Sequence, residues 1–209
     1  MRNLSISCTL LLIAIFPALP SAYGAPSGLN TIPTADVLDD GAISLEIESS
    51  GTGRPWGDDY DHFSLIQLGF QGGVEMGVDM CLTDSSAWLN AKWRLCDEST
   101  HIPAIAVGVQ SVSDKGRAQP YLIVLRSLGK ARVHGGFLRD DGGTRWMAGL
   151  DTTLAGMVTF QTDYISGEED SLTYGIAVPL SRQVSVTLVN SIGNLAGEHG
   201  HAINVAWSR

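Results

Sequence analysis

The sequence predicts an all-β protein: a closed, antiparallel, up-and-down transmembrane β-barrel of about twelve strands. Three observations carry that prediction. From residue 42 onward, short segments alternate apolar and polar residues with a period of two, the pattern of a strand with two unlike faces. The connections between them sort by alternation into longer or more polar ones and tight ones. Aromatic residues gather near segment ends, as rings do at the two interfaces of a bilayer.

The chain opens on Met1, Arg2 and Asn3, followed by an apolar run over residues 10–18, Pro20 and the small-residue stretch Ser21-Ala22-Tyr23-Gly24-Ala25. A basic start, a short apolar middle and a small-residue site predict a signal peptide over residues 1–24, with Ala22 and Gly24 filling the cleavage positions. Cys8 falls inside the apolar run without a lipoprotein pattern around it, so no lipid anchor is expected. Residues 25–41 then form a lead-in. Its Ile32-Pro33-Thr34-Ala35 core is too apolar for a free tail, and Pro33 keeps it extended. It either tucks into the barrel mouth or lumen, or serves as an ordered lead-in to the first strand.

The barrel spans residues 42–209. Segment one, residues 42–49, sets Ile43, Leu45 and Ile47 against Ser44, Glu46 and Glu48. Segments two and three cover 62–71 and 73–81; in the latter Val74, Met76, Val78 and Met80 alternate with Glu75, Gly77 and Asp79. Segment four, 86–95, places Leu89, Ala91, Trp93 and Leu95 opposite Trp88, Asn90, Lys92 and Arg94. The remaining eight cover residues 102–111, 119–127, 131–139, 144–151, 155–164, 172–180, 184–192 and 201–208. None fits a helical spacing, and an even count brings both ends to the same side of the membrane.

The longer or more polar connections are 50–61, 82–85, 112–118, 140–143, 165–171 and 193–200, and the tight ones include Gly72, 128–130, 152–154 and 181–183. Residues 96–101 are the exception on the tight side. Long loops outside and short turns inside is the barrel rule. Phe63, Phe137, Trp146, Tyr164 and Tyr174 then fall at the long-loop ends, and Phe70, Trp93 and Trp207 at the short-turn ends, which makes two lipid-facing girdles. A soluble β-sandwich, resident in the periplasm, is the rival fold, and it gives no reason for such sorting. The expected location is the outer membrane of a Gram-negative bacterium.

By parity Glu46, Glu75, Asp79, Lys92 and Arg94 share the inner face, predicting a lumen charge cluster. It serves either as an ion network bracing the barrel or as the lining of a ligand path. The net charge of −9, with no basic cluster, argues against nucleic acid as partner. The expected surroundings are outer-membrane lipid and lipopolysaccharide. Acidic groups at Asp58-Asp59, Asp61, Asp140-Asp141 and Glu168-Glu169-Asp170 read either as solvated turns or as sites for cations bridging to lipopolysaccharide phosphates. Cys81 and Cys96 fall about 27 Å apart along a hairpin, too far for a disulfide. No cofactor or metal is implied. His134 is the one mid-strand histidine, and Arg132 and Gly136, its parity neighbours, include no nucleophile or carboxylate, so no catalytic residue is assigned. His199 and His201 beside Glu198 read as a loop rather than a metal site. The final Trp207-Ser208-Arg209 lacks the terminal aromatic common in such barrels.

The stretch from Gly28 through Ile32-Pro33-Thr34-Ala35 to Gly41 resembles the entry segment of the YjbH-like outer-membrane proteins. A second match runs from Leu89-Asn90-Ala91-Lys92-Trp93-Arg94-Leu95 through Ile102-Pro103-Ala104-Ile105-Ala106-Val107-Gly108-Val109-Gln110 to Pro120-Tyr121-Leu122-Ile123-Val124. The resemblance covers about residues 28–127, and members of that family are commonly several times longer. It implies a short, single-barrel version with an accessory role in exopolysaccharide production or secretion, with exopolysaccharide or its export machinery as partner. The leading expectation is therefore a non-enzymatic envelope protein. A small-solute pore is the alternative, and a lipid-modifying enzyme the third reading.

Overall fold

The computed structural model describes residues 28–52, 60–113, 118–167, 170–194 and 199–209. The predicted signal peptide lies outside them, as do Asp58, Asp59, Glu168, Glu169 and Glu198.

The period-two pattern becomes twelve strands: β1 (Ile43–Thr52), β2 (Tyr60–Phe70), β3 (Val74–Cys81), β4 (Ala87–Cys96), β5 (Ala104–Val112), β6 (Gln119–Leu128), β7 (Ala131–Asp140), β8 (Gly143–Leu154), β9 (Val158–Ile165), β10 (Ser171–Pro179), β11 (Val184–Gly193) and β12 (His199–Ser208). Each pairs antiparallel with its sequence neighbours, and β12 returns to β1 through pairs such as Leu45 with Trp207 and Ile47 with Val205. Closure removes the unpaired edges that an open sheet would expose. At about 3.4 Å per residue and a tilt near 40°, strands of this length stand about 21 to 31 Å tall, which matches a hydrocarbon core.

The outward face explains why the closed sheet needs a bilayer. Leu45, Ile47, Met76, Leu89, Leu122, Ile176, Leu188 and Val205 are all exposed, on strands right around the barrel. An apolar belt of that extent costs free energy in water and none in lipid. Trp146, Phe137 and Tyr174 sit in it at the long-loop end, with Trp146 and Tyr164 rings 4.8 Å apart. Phe70 and Trp93 sit at the other end, where the Trp93 indole donates to the Gly72 carbonyl at 3.2 Å. Phe63 departs from the predicted girdle. It is paired with Glu48 and Cys81, so it faces the lumen with them, because its segment has the opposite parity from the one its aromatic character suggests.

Strand ends differ from the sequence reading by up to three residues, and the difference at the β8–β9 turn has a clear cause. Residues 152–154 were expected to turn, yet β8 continues to Leu154 and the turn falls on Ala155 and Gly156, with φ of 52° and 68°. Two successive positive φ values mark the hairpin turn whose twist suits adjoining strands, and only Gly156 supplies one without strain. Loop length is less asymmetric than expected, since Asp141 and Gly142 alone join β7 to β8. The exceptional turn after β4 is clamped. Arg126 donates to the carbonyls of Ser99 and Thr100, both at 2.7 Å, and Glu98 accepts from the amide and hydroxyl of Ser127 at 2.8 and 2.7 Å.

Cys81 and Cys96 are both free, at opposite ends of the β3–β4 hairpin. The Cys81 amide donates to the Ser86 carbonyl, which places it opposite Ser86, a residue short of the expected position.

Candidate functional site

The lumen is occupied by the lead-in. Residues 28–41 enter at the short-turn end, where the Gly41 amide donates to the Gly69 carbonyl at 3.0 Å and the Leu38 amide to Glu75 Oε2 at 2.8 Å. Asp36 then meets Arg132 at 2.8 Å. Further in, the chain makes a tight reversal in which Gly28 bridges Pro33 and the Leu29 amide donates to the Ile32 carbonyl. Of the two sequence readings, the lead-in takes the insertion into the lumen.

Why it stays there follows from the wall it touches. The inward residues of β5 to β8 include Ala104, Ala106, Ile123, Leu125, Leu138 and Met147, and Leu29, Ile32 and Ala35 pack on them in one buried cluster. Burying Leu29 and Ile32 contributes about 1.5 to 3 kcal/mol each. Gly149 makes room, because a Cβ there would collide with both side chains. Polar anchors fix the tip: Asp163 accepts from the amide and hydroxyl of Thr31 at 3.0 and 2.6 Å, and from Thr173. Asn30 donates to Thr173 Oγ1 at 3.0 Å and accepts from Gln161 Nε2 at 2.6 Å.

The opposite wall, β12 and β1 to β4, is polar and leaves space. A cavity of about 160 Å³ lies between it and the segment, lined by Glu46, Glu48, Gln67, Asp79, Asn90 and Asn204 together with Lys92 and Tyr121. A second, of about 370 Å³, is lined by Ser50, Thr52, Asp61, Phe63, Ser171 and His201 towards the long-loop end. The two share Asn30, Thr31, Glu48 and Asn204, so they stack along the barrel axis.

Four of the five predicted cluster residues come together here. Glu75 and Lys92 form a buried ion pair at 3.6 Å. Asp79 accepts from Asn90 at 3.0 Å, and Glu46 from Asn204 at 2.7 Å. Arg94 does not join them: it sits at the short-turn rim, half-exposed and paired with Asp97 at 2.9 Å, because it is the last inward residue of its strand. Among the described residues the group thus combines the Glu75–Lys92 ion pair with two carboxyls, Glu46 and Asp79, held by side-chain amides. The family-motif residues divide likewise. Ile32, Thr34 and Ala35 are buried in the lumen with Pro33 bridged to Gly28, Pro103 precedes β5, and Gly108 lies under the Tyr121 ring.

His134 has a partner that counting along its own strand missed. Asp151, on the adjacent β8, lies 2.7 Å from His134 Nε2 and also takes Arg132 Nε at 3.0 Å. Period-two reading finds same-face residues on one strand, whereas this carboxylate arrives by register. The ring is buried, and among the described residues its Nδ1 has no hydrogen-bond partner. Among the described residues no cluster of His, Cys, Asp or Glu is arranged to hold a metal. Asp140 and Asp170 both pair with Arg145, with little of either carboxylate left exposed. The anchors Asp163, Asn30 and Gln161 were not singled out in the sequence. A lone inward Asp on β9 opposite Gly149 was the available signal.

No family model and no curated protein matches the chain. Among solved structures, the KdgM porin aligns with a TM-score of 0.59 at 13% identity, over 78% of this chain and 98% of its own; a second structure of it is in complex with disordered oligogalacturonate, at 0.58. The NanC porin gives 0.56 at 12%, over 78% and 98%. Omp33 of Acinetobacter baumannii gives 0.52 at 7%, over 80% and 98%. The fold is thus that of outer-membrane porins.

Proposed function

We propose that the protein is a non-enzymatic outer-membrane barrel that passes small solutes, with the inserted segment as its constriction. The observation that carries this reading is the pair of stacked polar cavities left beside the segment. A barrel whose interior were purely structural would fill that space with side chains. The porin likeness of the fold supports the same direction. The test is conductance of the refolded protein in a planar bilayer. Small, reproducible steps that grow when Ile32→Asp unseats the segment are expected; a silent bilayer for both proteins overturns the reading.

An accessory role in exopolysaccharide production or secretion is the second reading. It is favoured by one observation: Ile32, Thr34 and Ala35, which carry the YjbH-like resemblance, are the residues seated in the lumen. Deleting the protein should then change secreted polysaccharide, and normal amounts would remove this role while leaving the pore intact.

A further inference from the structure

We infer that the larger cavity, towards the long-loop end, is a binding site for a neutral sugar ring that stacks on Phe63. The inference rests on the pore reading and names the class of solute held above the constriction.

The first ground is Phe63 itself. The girdle rings turn to lipid, whereas Phe63, paired with Glu48 and Cys81, turns inward, is half-buried and lines this cavity. An apolar surface left facing water costs about 25 cal/mol per Å². Elsewhere in the lumen that cost is met by cover, since Leu29 and Ile32 lie over the apolar residues of β5 to β8. At this cavity the segment presents Asn30 and Thr31 instead. Both are polar and tied to Asp163, Thr173 and Gln161, so the segment brings no apolar side chain to Phe63. An aromatic face is therefore turned to a polar space. The face of such a ring is negative and attracts weakly positive C–H bonds, and a pyranose carries C–H bonds on its faces with hydroxyls around its rim.

The second ground is what surrounds the ring. Ser50 and Thr52 share the inward parity of Glu48, Ser171 that of Thr173 and Ser191 that of Val189, and all four hydroxyl residues line the cavity. A hydroxyl both donates and accepts, which is the capacity of each sugar hydroxyl in turn. Glu48 and Asp61, also in the lining, can only accept when ionised. They take O–H donors from a neutral solute and repel one that carries a carboxylate or phosphate. An aromatic solute would cover Phe63 and leave the hydroxyls unanswered; an acyl chain would do the same. One apolar contact among convergent polar groups is the make-up of a small-molecule site.

Size and place agree with this. A cavity of roughly 150 Å³ holds benzene; a pyranose with its hydroxyls is larger, and about 370 Å³ accommodates it. Asn30 and Thr31 form the boundary with the smaller cavity of about 160 Å³. A sugar entering from the long-loop end thus meets Phe63 before the constriction.

The experiment is a saturation-transfer NMR titration of the detergent-refolded full barrel with glucose, galactose and mannose. Mannitol, which has the hydroxyls without the ring, and glucuronate, which has the ring with a charge, are the matched probes. Saturable binding of at least one of the three sugars is expected, strongest in transfer to its ring C–H protons and at least fivefold tighter than either matched probe. Phe63→Ala should weaken it at least tenfold, and Phe63→Tyr should hold it within twofold. Heat-dependent gel mobility checks that the variants are folded; should Phe63→Ala not fold, Thr52→Val replaces it, with a weakening of at least threefold expected. No saturable binding of any of the three sugars, equal binding of mannitol or glucuronate, or binding that ignores the substitutions overturns the site. Conductance without sugar binding would leave the pore standing and remove this site. Sugar binding to a silent barrel would do the reverse.

Discussion

The wall built by β5 to β8 and the wall built by β12 and β1 to β4 solve the same problem, how to fill a twelve-stranded barrel, in opposite ways. On the first, inward Ala106, Ile123, Leu125 and Met147 are apolar and are covered by Leu29 and Ile32. On the second, inward Glu46, Gln67, Asp79 and Asn204 are polar and line a cavity. The first is a hydrophobic core made from a strand set and an inserted peptide, with polar anchors at the tip. The second is a largely buried polar wall with unmet hydrogen-bonding capacity. The difference teaches that position in the lumen does not decide polarity: what lies opposite does. Stability of the segment should therefore depend on the first wall, and ligand chemistry on the second.

The largest effect should come from Ile32→Asp. A carboxylate placed among Ile123, Leu125 and Met147 has no partner there, and burying it costs about 3 kcal/mol or more, comparable to what Leu29 and Ile32 together contribute. The segment should leave the lumen while the barrel persists. Limited proteolysis reads this directly: residues 28–38, protected in the parent protein, become cleavable, with heat-dependent gel mobility retained. Continued protection would mean that the apolar wall does not hold the segment.

How much of this comparison could be read from residues alone is instructive. The twelve strands were legible because each sets one apolar face to lipid, and that face repeats everywhere from Leu45 to Val205. The lumen was only half legible. Glu46, Glu75, Asp79 and Lys92 announced the polar wall, since charged residues alternating with apolar ones have only one place to go. The apolar wall was hidden in plain view: Pro103-Ala104-Ile105-Ala106-Val107 and Tyr121-Leu122-Ile123-Val124-Leu125 are continuous apolar runs, the mark of a strand covered on both faces, yet they also satisfy a loose alternation. The cover comes from a segment distant in sequence. Contacts such as Thr31 to Asp163 and His134 to Asp151 depend on register and insertion, which no single strand encodes; Phe63 was misplaced by the parity of its strand, and Arg94 by its position at a strand end.

A middle-sized effect separates the anchors of the two walls. Asp163→Ala removes the acceptor for the amide and hydroxyl of Thr31 and for Thr173, and losing hydrogen bonds to a charged group costs about 1.5 to 3 kcal/mol. Gln67→Leu removes one long amide contact to Asp79 and an acceptor that had no partner, so a change under about 1 kcal/mol is expected. Urea unfolding of the two variants in the same detergent gives the ordering. Equal losses, or a greater loss for Gln67→Leu, would show that the polar wall carries stability after all.

The smallest effect lies outside both walls, in the turn after β4, and serves as the reference against which they are judged. The Glu98 carboxyl is held below its ordinary value by hydrogen bonds from the Ser127 hydroxyl and amide. A carboxyl with a depressed folded value stabilises its surroundings above the unfolded value and loses that contribution as pH falls through the folded one. The local clamp should thus persist at neutral and mildly acidic pH and open only below the usual glutamate value near 4.5. Slow exchange of the Ser127 amide, followed as pH is lowered, measures it. Glu98→Gln should make that exchange faster at neutral pH and abolish its change at low pH, while the proteolytic protection of residues 28–38 stays as in the parent. If opening this turn also released the segment, the short-turn rim and not the apolar wall would be what keeps the lumen filled.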